Sequence, residues 1–245
     1  MDPIKAFKDA DEIAAAACNY VLQAARESIA EHGVFNIVLT GGSTPKKLYE
    51  LLATQTGVEW SKWHFFMGDE RFVPVDDERS NQKMAQDSIL SKVSLGPDQI
   101  QPVPVDQPAA DQAASIYEQQ ILEYFGISLS DPLPAFDLIL LGMGSDGHTA
   151  SLFPGKLSLK ETQRLVTASE PGVLPPPVER ITFTLPLINA GRRVLFMAAG
   201  ADKAQAFKHV CQDLTKIPQE AATPAGMVRP AAGKLLWYVD QAIVS

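Results

Sequence analysis

Two cysteines are all that this 245-residue chain contains, and nearly the whole sequence separates Cys18 from Cys211. They offer neither a metal-binding nor a redox spacing, so both are expected to be reduced, mostly buried thiols. Positive charge is also in short supply. Lys and Arg number 21 against 29 Asp and Glu, a formal net charge of −8, which argues against nucleic acid or an anionic membrane as a partner. A small anionic substrate stays open, because a few local cations can dominate one pocket. No apolar run approaches the roughly 18 residues of a membrane span, and the N-terminus lacks a basic segment followed by an apolar core. A soluble, cytoplasmic protein is the expectation. Repeats and low-complexity segments are missing as well. What is left is 46% hydrophobic and 20% charged, enough to bury a sizeable core. No internal boundary is visible, so residues 1–245 are expected to form a single α/β domain.

The most informative stretch is 136–149. Leu138, Ile139, Leu140 and Leu141 form a short unbroken apolar block, suited to a strand buried on both faces of a parallel sheet. It stops at Gly142-Met143-Gly144-Ser145-Asp146-Gly147-His148. Glycine lets the backbone take conformations that a Cβ forbids, or lets a ligand approach the main chain. Ligands of open α/β sheets bind at the carboxyl ends of strands, where this loop belongs, and Asp146 and His148 there suit proton transfer. The glycines fit G-x-G-x-x-G literally, which alone is a weak dinucleotide signal. Pro154-Gly155 cuts short the helix such a fingerprint needs. A tight turn with a satisfied histidine is a further reading.

Taken in order, a helix capped by Asp9 or Asp11 is expected to run to about Glu31 and stop at Gly33. A strand follows over 34–39. Thr40-Gly41-Gly42-Ser43-Thr44-Pro45 then opens a helix over 46–52, with Pro45 in its first turn and Ser43 or Thr44 as cap. Glycines, hydroxyls and a helix N-terminus together make an anion site, a phosphate in particular; the alternative is an ordinary capped turn. A strand over 63–67 leads to Gly68-Asp69-Glu70-Arg71, charges at a strand's end that can reach a ligand or form a surface ion pair. Ser80 caps a helix over 81–93. An edge strand is expected near 100–105 and a helix over 108–125, with Gly126 as its stop. Strands are expected over 164–168, 180–185, 194–199 and 235–239, with a proline-stiffened loop at Pro171, Pro175, Pro176 and Pro177. Gly200-Ala201-Asp202-Lys203 opens a helix through Val210, with a loop over 216–224. Lys203 in that first turn opposes the helix dipole unless a phosphate compensates; the alternative is a solvated surface lysine. Strands alternating with helices point to a parallel, doubly wound sheet.

Together these motifs resemble the 6-phosphogluconolactonase family, over nearly the whole chain: 39–45, 68–74, Ser80-Asn81, 142–154, Arg180-Ile181-Thr182 and 200–203. The resemblance implies a Rossmann-like, mainly parallel sheet flanked by helices, shared with glucosamine-6-phosphate deaminase and ribose-5-phosphate isomerase. It implies a sugar site at the glycine loop, Gly144 included, in place of a nucleotide site. His148 then looks like the general base that activates water. Asp69 and Arg71 look like polar residues beside the lactone. Gly41, Gly42, Ser43 and Thr44, with Arg180 and Lys203, look like the phosphate grip. The deaminases typically have a tyrosine after the aspartate-glutamate pair, where this chain has Arg71. They also end the histidine loop on asparagine-glutamate-proline, where this chain has Leu152-Phe153-Pro154. Both departures favour the lactonase side. Gly226 stands where the family ending suggests a serine.

The implied reaction is hydrolysis of 6-phospho-D-glucono-1,5-lactone to 6-phosphogluconate, in the oxidative pentose phosphate pathway. Histidine suits the base by its reference pKa of about 6.5. Asp146 either orients the His148 ring or shapes the loop, and Arg71 stabilises oxyanion charge or holds substrate. No cofactor and no metal are expected: Asp69, Glu70, Asp146 and His148 have no H-E-x-x-H or paired-cysteine spacing. The expected partner is a sugar-phosphate lactone, with neither nucleic acid nor membrane, and the chain is expected to act as a monomer, with a homodimer as the alternative. A non-catalytic sugar-phosphate sensor would keep the anion turn, Arg180 and Lys203, but would not need Asp69, Arg71 and His148 together. His32, His64 and His209 are read as structural.

Overall fold

The computed structural model describes residues 4–172, 176–215 and 223–245. Pro175 and most of the loop expected over 216–224 lie outside the described residues.

The chain begins with strand β1 (Ile4–Phe7) and helix α1 (Ala10–His32). Asp9 accepts from the N–H groups of Asp11 and Glu12 at the start of α1, and Gly33 closes it in the left-handed region, φ 88°, as its lack of a Cβ allows. Next come β2 (Phe35–Leu39), α2 (Ser43–Ala53), β3 (Trp63–Met67), β4 (Asp69–Arg71), α3 (Asn81–Ala85), β5 (Ile100–Gln101), α4 (Ala110–Phe125) and β6 (Leu138–Leu141). The remainder is β7 (Val166–Ser169), β8 (Arg180–Phe183), α5 (Leu185–Asn189), β9 (Arg193–Ala198), α6 (Ala204–Asp213), β10 (Lys234–Asp240) and α7 (Gln241–Val244).

Seven strands form one sheet in the order β1-β10-β9-β6-β2-β3-β5, and every pairing in it is parallel. The residues of β2 and β6 are buried throughout, which is why β6 reads as an unbroken apolar block and no charge interrupts β2. After β2 the chain builds outward through β3 and β5, and from β6 it builds the other way through β9 and β10. The direction of winding reverses between β2 and β6, where the crevice of a doubly wound sheet opens. The loops that leave these two neighbours are Thr40-Gly41-Gly42 and Gly142-Met143-Gly144.

Several expectations are corrected. The strands at 164–168 and 180–185 do not extend the parallel sheet. As β7 and β8 they join β4 in a separate antiparallel sheet, β4-β8-β7, against which α4 packs. The charges expected at the end of the preceding strand, Asp69-Glu70-Arg71, form a strand of their own, β4, which has no apolar alternation to mark it. The helix expected over 81–93 leaves α-geometry at Gln86 and continues to Leu90 with π-type pairing. The cap of α2 is Gly42, at φ 113°, and neither Ser43 nor Thr44; that backbone angle favours glycine. β1, α5 and α7 went unread, each only four or five residues long and too short to carry a period. Among the described residues no helix is long and apolar enough to cross a membrane.

Candidate active site

The crevice at the β2/β6 reversal holds a cavity of about 140 Å³. Its walls come from five places in the chain. Thr40, Gly41 and Gly42 follow β2; Gly142, Met143, Gly144, His148 and Ala150 follow β6; in the small sheet, Asp69 and Arg71 come from β4 and Arg180 from β8; Asn81 opens α3.

His148 is held by the loop that carries it. Asp146 Oδ1 lies 2.5 Å from His148 Nδ1 and also accepts the His148 backbone N–H at 3.1 Å. With Nδ1 engaged by a carboxylate, the proton sits on that nitrogen and Nε2 is left as the basic one. Burial pushes the Asp146 carboxyl up, but the hydrogen bond and charge of His148 outweigh it, and the group titrates below the usual aspartate range. Gly144 is required by this packing: a Cβ there would overlap His148 Cε1 and Nδ1 and come within 2.7 Å of Asp146 Oδ1. Phe153 backs the ring at 4.6 Å between centroids.

The small sheet contributes two cations. Arg71 on β4 and Arg180 on β8 are direct cross-strand partners. Each guanidinium has a buried Nε with no hydrogen-bond partner among the described residues. Arg180 donates from Nη2 to Pro176 O and lies over the Phe153 ring, 5.2 Å from its centroid. Burial lowers the Arg180 pKa; Asp69 opposes this and Arg71 reinforces it. Two neighbouring arginines on one cavity wall are suited to binding an anion.

Asp69 is almost fully buried, and its Oδ2 accepts from Ser151 Oγ at 2.7 Å. Ser151 sits in a tight turn closed by the Leu152 N–H on Thr149 O. That turn places Ala150 at φ 47°, a strained angle for a residue with a Cβ and one that clusters at functional sites.

The expected residues are thus only partly brought together. Asp69, Arg71, Gly41, Gly42, Gly144, His148 and Arg180 share one cavity, and Asp146 touches it through His148. Ser43 and Thr44 form the first turn of α2 and do not line the cavity; their backbone N–H groups are first-turn donors without intrahelical acceptors. Lys203 is not on the wall either, and its Nζ pairs with Asp202 at 3.0 Å. Asp69, Glu70, Asp146 and His148 do not converge as ligands, and among the described residues no group of three His, Cys, Asp or Glu is placed to hold a metal ion. His32 is bonded to the buried Asp137 at 2.9 Å.

Sequence reading missed the supports. Tyr49 OH accepts from Thr40 N–H and donates to Thr40 O, both at 2.9 Å. Tyr117 OH does the same at Met67, at 2.9 and 3.1 Å. These two phenols, their pKa values pushed up by burial, hold the strand ends from which the site loops depart. The available signal was a tyrosine on an apolar helix face, where its hydroxyl needs a buried partner.

The sequence profile described as glucosamine-6-phosphate isomerases/6-phosphogluconolactonase matches residues 8–237. A 6-phosphogluconolactonase of Synechocystis sp. is 43% identical over 215 residues, covering 88% of this chain and 85% of the relative. The solved 6-phosphogluconolactonase of Trypanosoma cruzi superposes with a TM-score of 0.88 at 31% identity, covering 99% of this chain and 96% of that one. That of Thermotoga maritima superposes with a TM-score of 0.83 at 29% identity, covering 97% and 99%. Profile, relatives and architecture agree, and the chain belongs to the glucosamine-6-phosphate isomerase/6-phosphogluconolactonase family.

Proposed function

We propose that this chain hydrolyses 6-phospho-D-glucono-1,5-lactone to 6-phospho-D-gluconate, with His148 as the general base. The observation that carries the reading is one shared cavity. An imidazole whose Nδ1 is fixed by Asp146 at 2.5 Å lines it together with Arg71, Arg180 and Asp69.

The chemistry is acyl transfer to water. Nε2 of His148 takes a proton as the water oxygen bonds to the lactone carbonyl carbon, and the carbonyl oxygen becomes an oxyanion. Arg71 supplies positive charge for that oxyanion or for the adjacent hydroxyls. The bond from that carbon to the ring oxygen then breaks. The imidazolium returns its proton to the ring oxygen, which becomes the free hydroxyl, and the acid ionises. Asp146 stabilises the transient imidazolium and keeps the ring in one tautomer, as the carboxylate partner of a catalytic histidine does. Asp69, locked by Ser151 and Asn81, orients substrate hydroxyls.

Remote phosphate binding fixes the lactone and lowers the entropic cost of attack. Arg180, the first-turn N–H groups of Ser43 and Thr44, and Gly41 and Gly42, whose backbone can be closely approached, form the grip. Lys203 joins by leaving the exposed carboxylate of Asp202, an ion pair of little stability.

The test generates the lactone in situ from glucose 6-phosphate and its dehydrogenase, and follows its loss at slightly acidic pH. Loss in proportion to added protein, and much weaker action on the unphosphorylated lactone, is the expected result. Folded protein without effect, but releasing ammonia from glucosamine 6-phosphate, replaces the lactonase reading with the deaminase one.

A further inference from the structure

Glu70 stands between two residues of the cleft wall, Asp69 and Arg71, yet does not line the cleft. Its side chain is fully buried. Alternation along β4 turns it to the other face, where it meets the segment 79–82.

The two stretches are joined residue by residue. Arg71 Nη1 donates to Arg79 O at 2.6 Å. Ser80 Oγ donates to Glu70 Oε2 at 3.1 Å. The N–H groups of Asn81 and Gln82 donate to Glu70 Oε1 at 2.8 Å and Oε2 at 2.6 Å. The Arg71 N–H adds a fourth bond, to Oε1 at 2.6 Å. Asn81 Nδ2 returns a bond to Asp69 O at 3.0 Å. Glu70 thus caps α3 from a neighbouring strand, at the end where the helix exposes unpaired donors and a positive dipole. A carboxylate with both oxygens doubly engaged has no freedom left for chemistry.

We infer that Glu70 is a positioning residue of this site: by clamping the first turn of α3 onto β4 it sets where Arg71 and Asn81 stand on the cleft wall. The inference rests on the lactonase reading above. Burial pushes the Glu70 carboxyl up while the surrounding N–H groups draw it back, as a carboxylate kept for its contacts would show.

Glu118 supplies a matched control. It too is buried and grips backbone, accepting from the N–H groups of Leu165 at 2.5 Å and Val166 at 3.2 Å, but it supports β7 and does not line the cleft. In the full-length protein, Glu70→Gln is expected to lower kcat/KM for the lactone by about 10- to 100-fold, the scale of a 1 Å misplacement. Glu118→Gln is expected to lower the melting temperature and leave kcat and KM at parent values. Asn81→Ala combined with Glu70→Gln is expected to lose little more than the worse single variant, since both act through the same turn. Folded Glu70→Gln with parent kcat and KM overturns the inference, as does a double variant whose losses multiply. Should Glu70→Gln not fold, Ser80→Ala removes one of the four donors: a loss of roughly 3- to 10-fold supports the clamp, and parent kinetics overturn it. A parent protein that leaves the lactone untouched brings down the functional reading as well, whereas an active parent beside an unimpaired Glu70→Gln overturns this inference alone.

Discussion

Gly144→Ala isolates the placement of His148 from its chemistry. Gly144 is not among the glycines at positive φ, so alanine fits the backbone without strain. Its N–H on His148 O at 2.9 Å and its carbonyl under the Gly147 N–H at 3.0 Å are main-chain bonds that survive the change. The added methyl is the whole perturbation, and it would fall inside the His148 ring and 2.7 Å from Asp146 Oδ1. Ordinary carbon contacts are about 3.5–4.0 Å, so the imidazole must retreat by roughly 1 Å or rotate off Asp146. Misplacement on that scale costs about 10²-fold in rate, or about 2.7 kcal/mol of transition-state stabilisation. The fall is expected mainly in kcat, with the melting temperature near that of the parent. The assay is loss of in situ generated lactone, read alongside thermal denaturation. Folded Gly144→Ala with kcat/KM within about threefold of the parent would refute the reasoning.

Three further outcomes are expected. The Asp146 carboxyl is raised by burial but lowered further by His148, so the stability it contributes is present above its unfolded pKa of about 3.9 and lost as pH falls through the lower folded value; the gap in melting temperature between parent and Asp146→Asn should hold down to that unfolded value and close in stronger acid, and a gap that widens in acid contradicts this. Arg180→Met removes a cation that lines the cleft; KM for the phosphorylated lactone is expected to rise at least tenfold, the scale of a lost charge-assisted contact of about 1.5–3 kcal/mol, and an unchanged KM contradicts it. Tyr117→Phe leaves the Met67 N–H and carbonyl without the phenol; a loss of about 1–3 kcal/mol should appear in chemical denaturation, and stability equal to the parent's rules out that support.

The strands of the parallel sheet were legible wherever both faces are buried. Leu138–Leu141 shows it, where continuous burial leaves a continuous apolar run, and in Phe35–Leu39 only the buried Asn36 breaks that run. The ends of α1 were legible because Asp9 and Gly33 act through local chemistry. The small antiparallel sheet was not, because β4 is written in charged residues whose places are set by partners more than a hundred positions away in β8. Of the site, the loop glycines, Asp69, Arg71, His148 and Arg180 could be named and do share a cavity. Ser43 and Thr44 could be named but not placed, since a helix starting at Gly42 turns their side chains out of the cavity. Tyr49 and Tyr117 signalled only that a buried hydroxyl needs a partner, and Ser151 signalled nothing, because which distant backbone or side-chain group a hydroxyl meets is a tertiary fact.

The central claim is that the free nitrogen of His148 takes the proton from water at the lactone carbonyl. Its most direct test is the rate of lactone loss catalysed by His148→Ala against the parent, with both shown to be folded. Removal of a general base is expected to lower kcat by about 10²–10⁴-fold while KM, set by the arginines and the α2 N-terminus, stays near the parent value. A His148→Ala protein that hydrolyses the lactone at the parent rate contradicts the account.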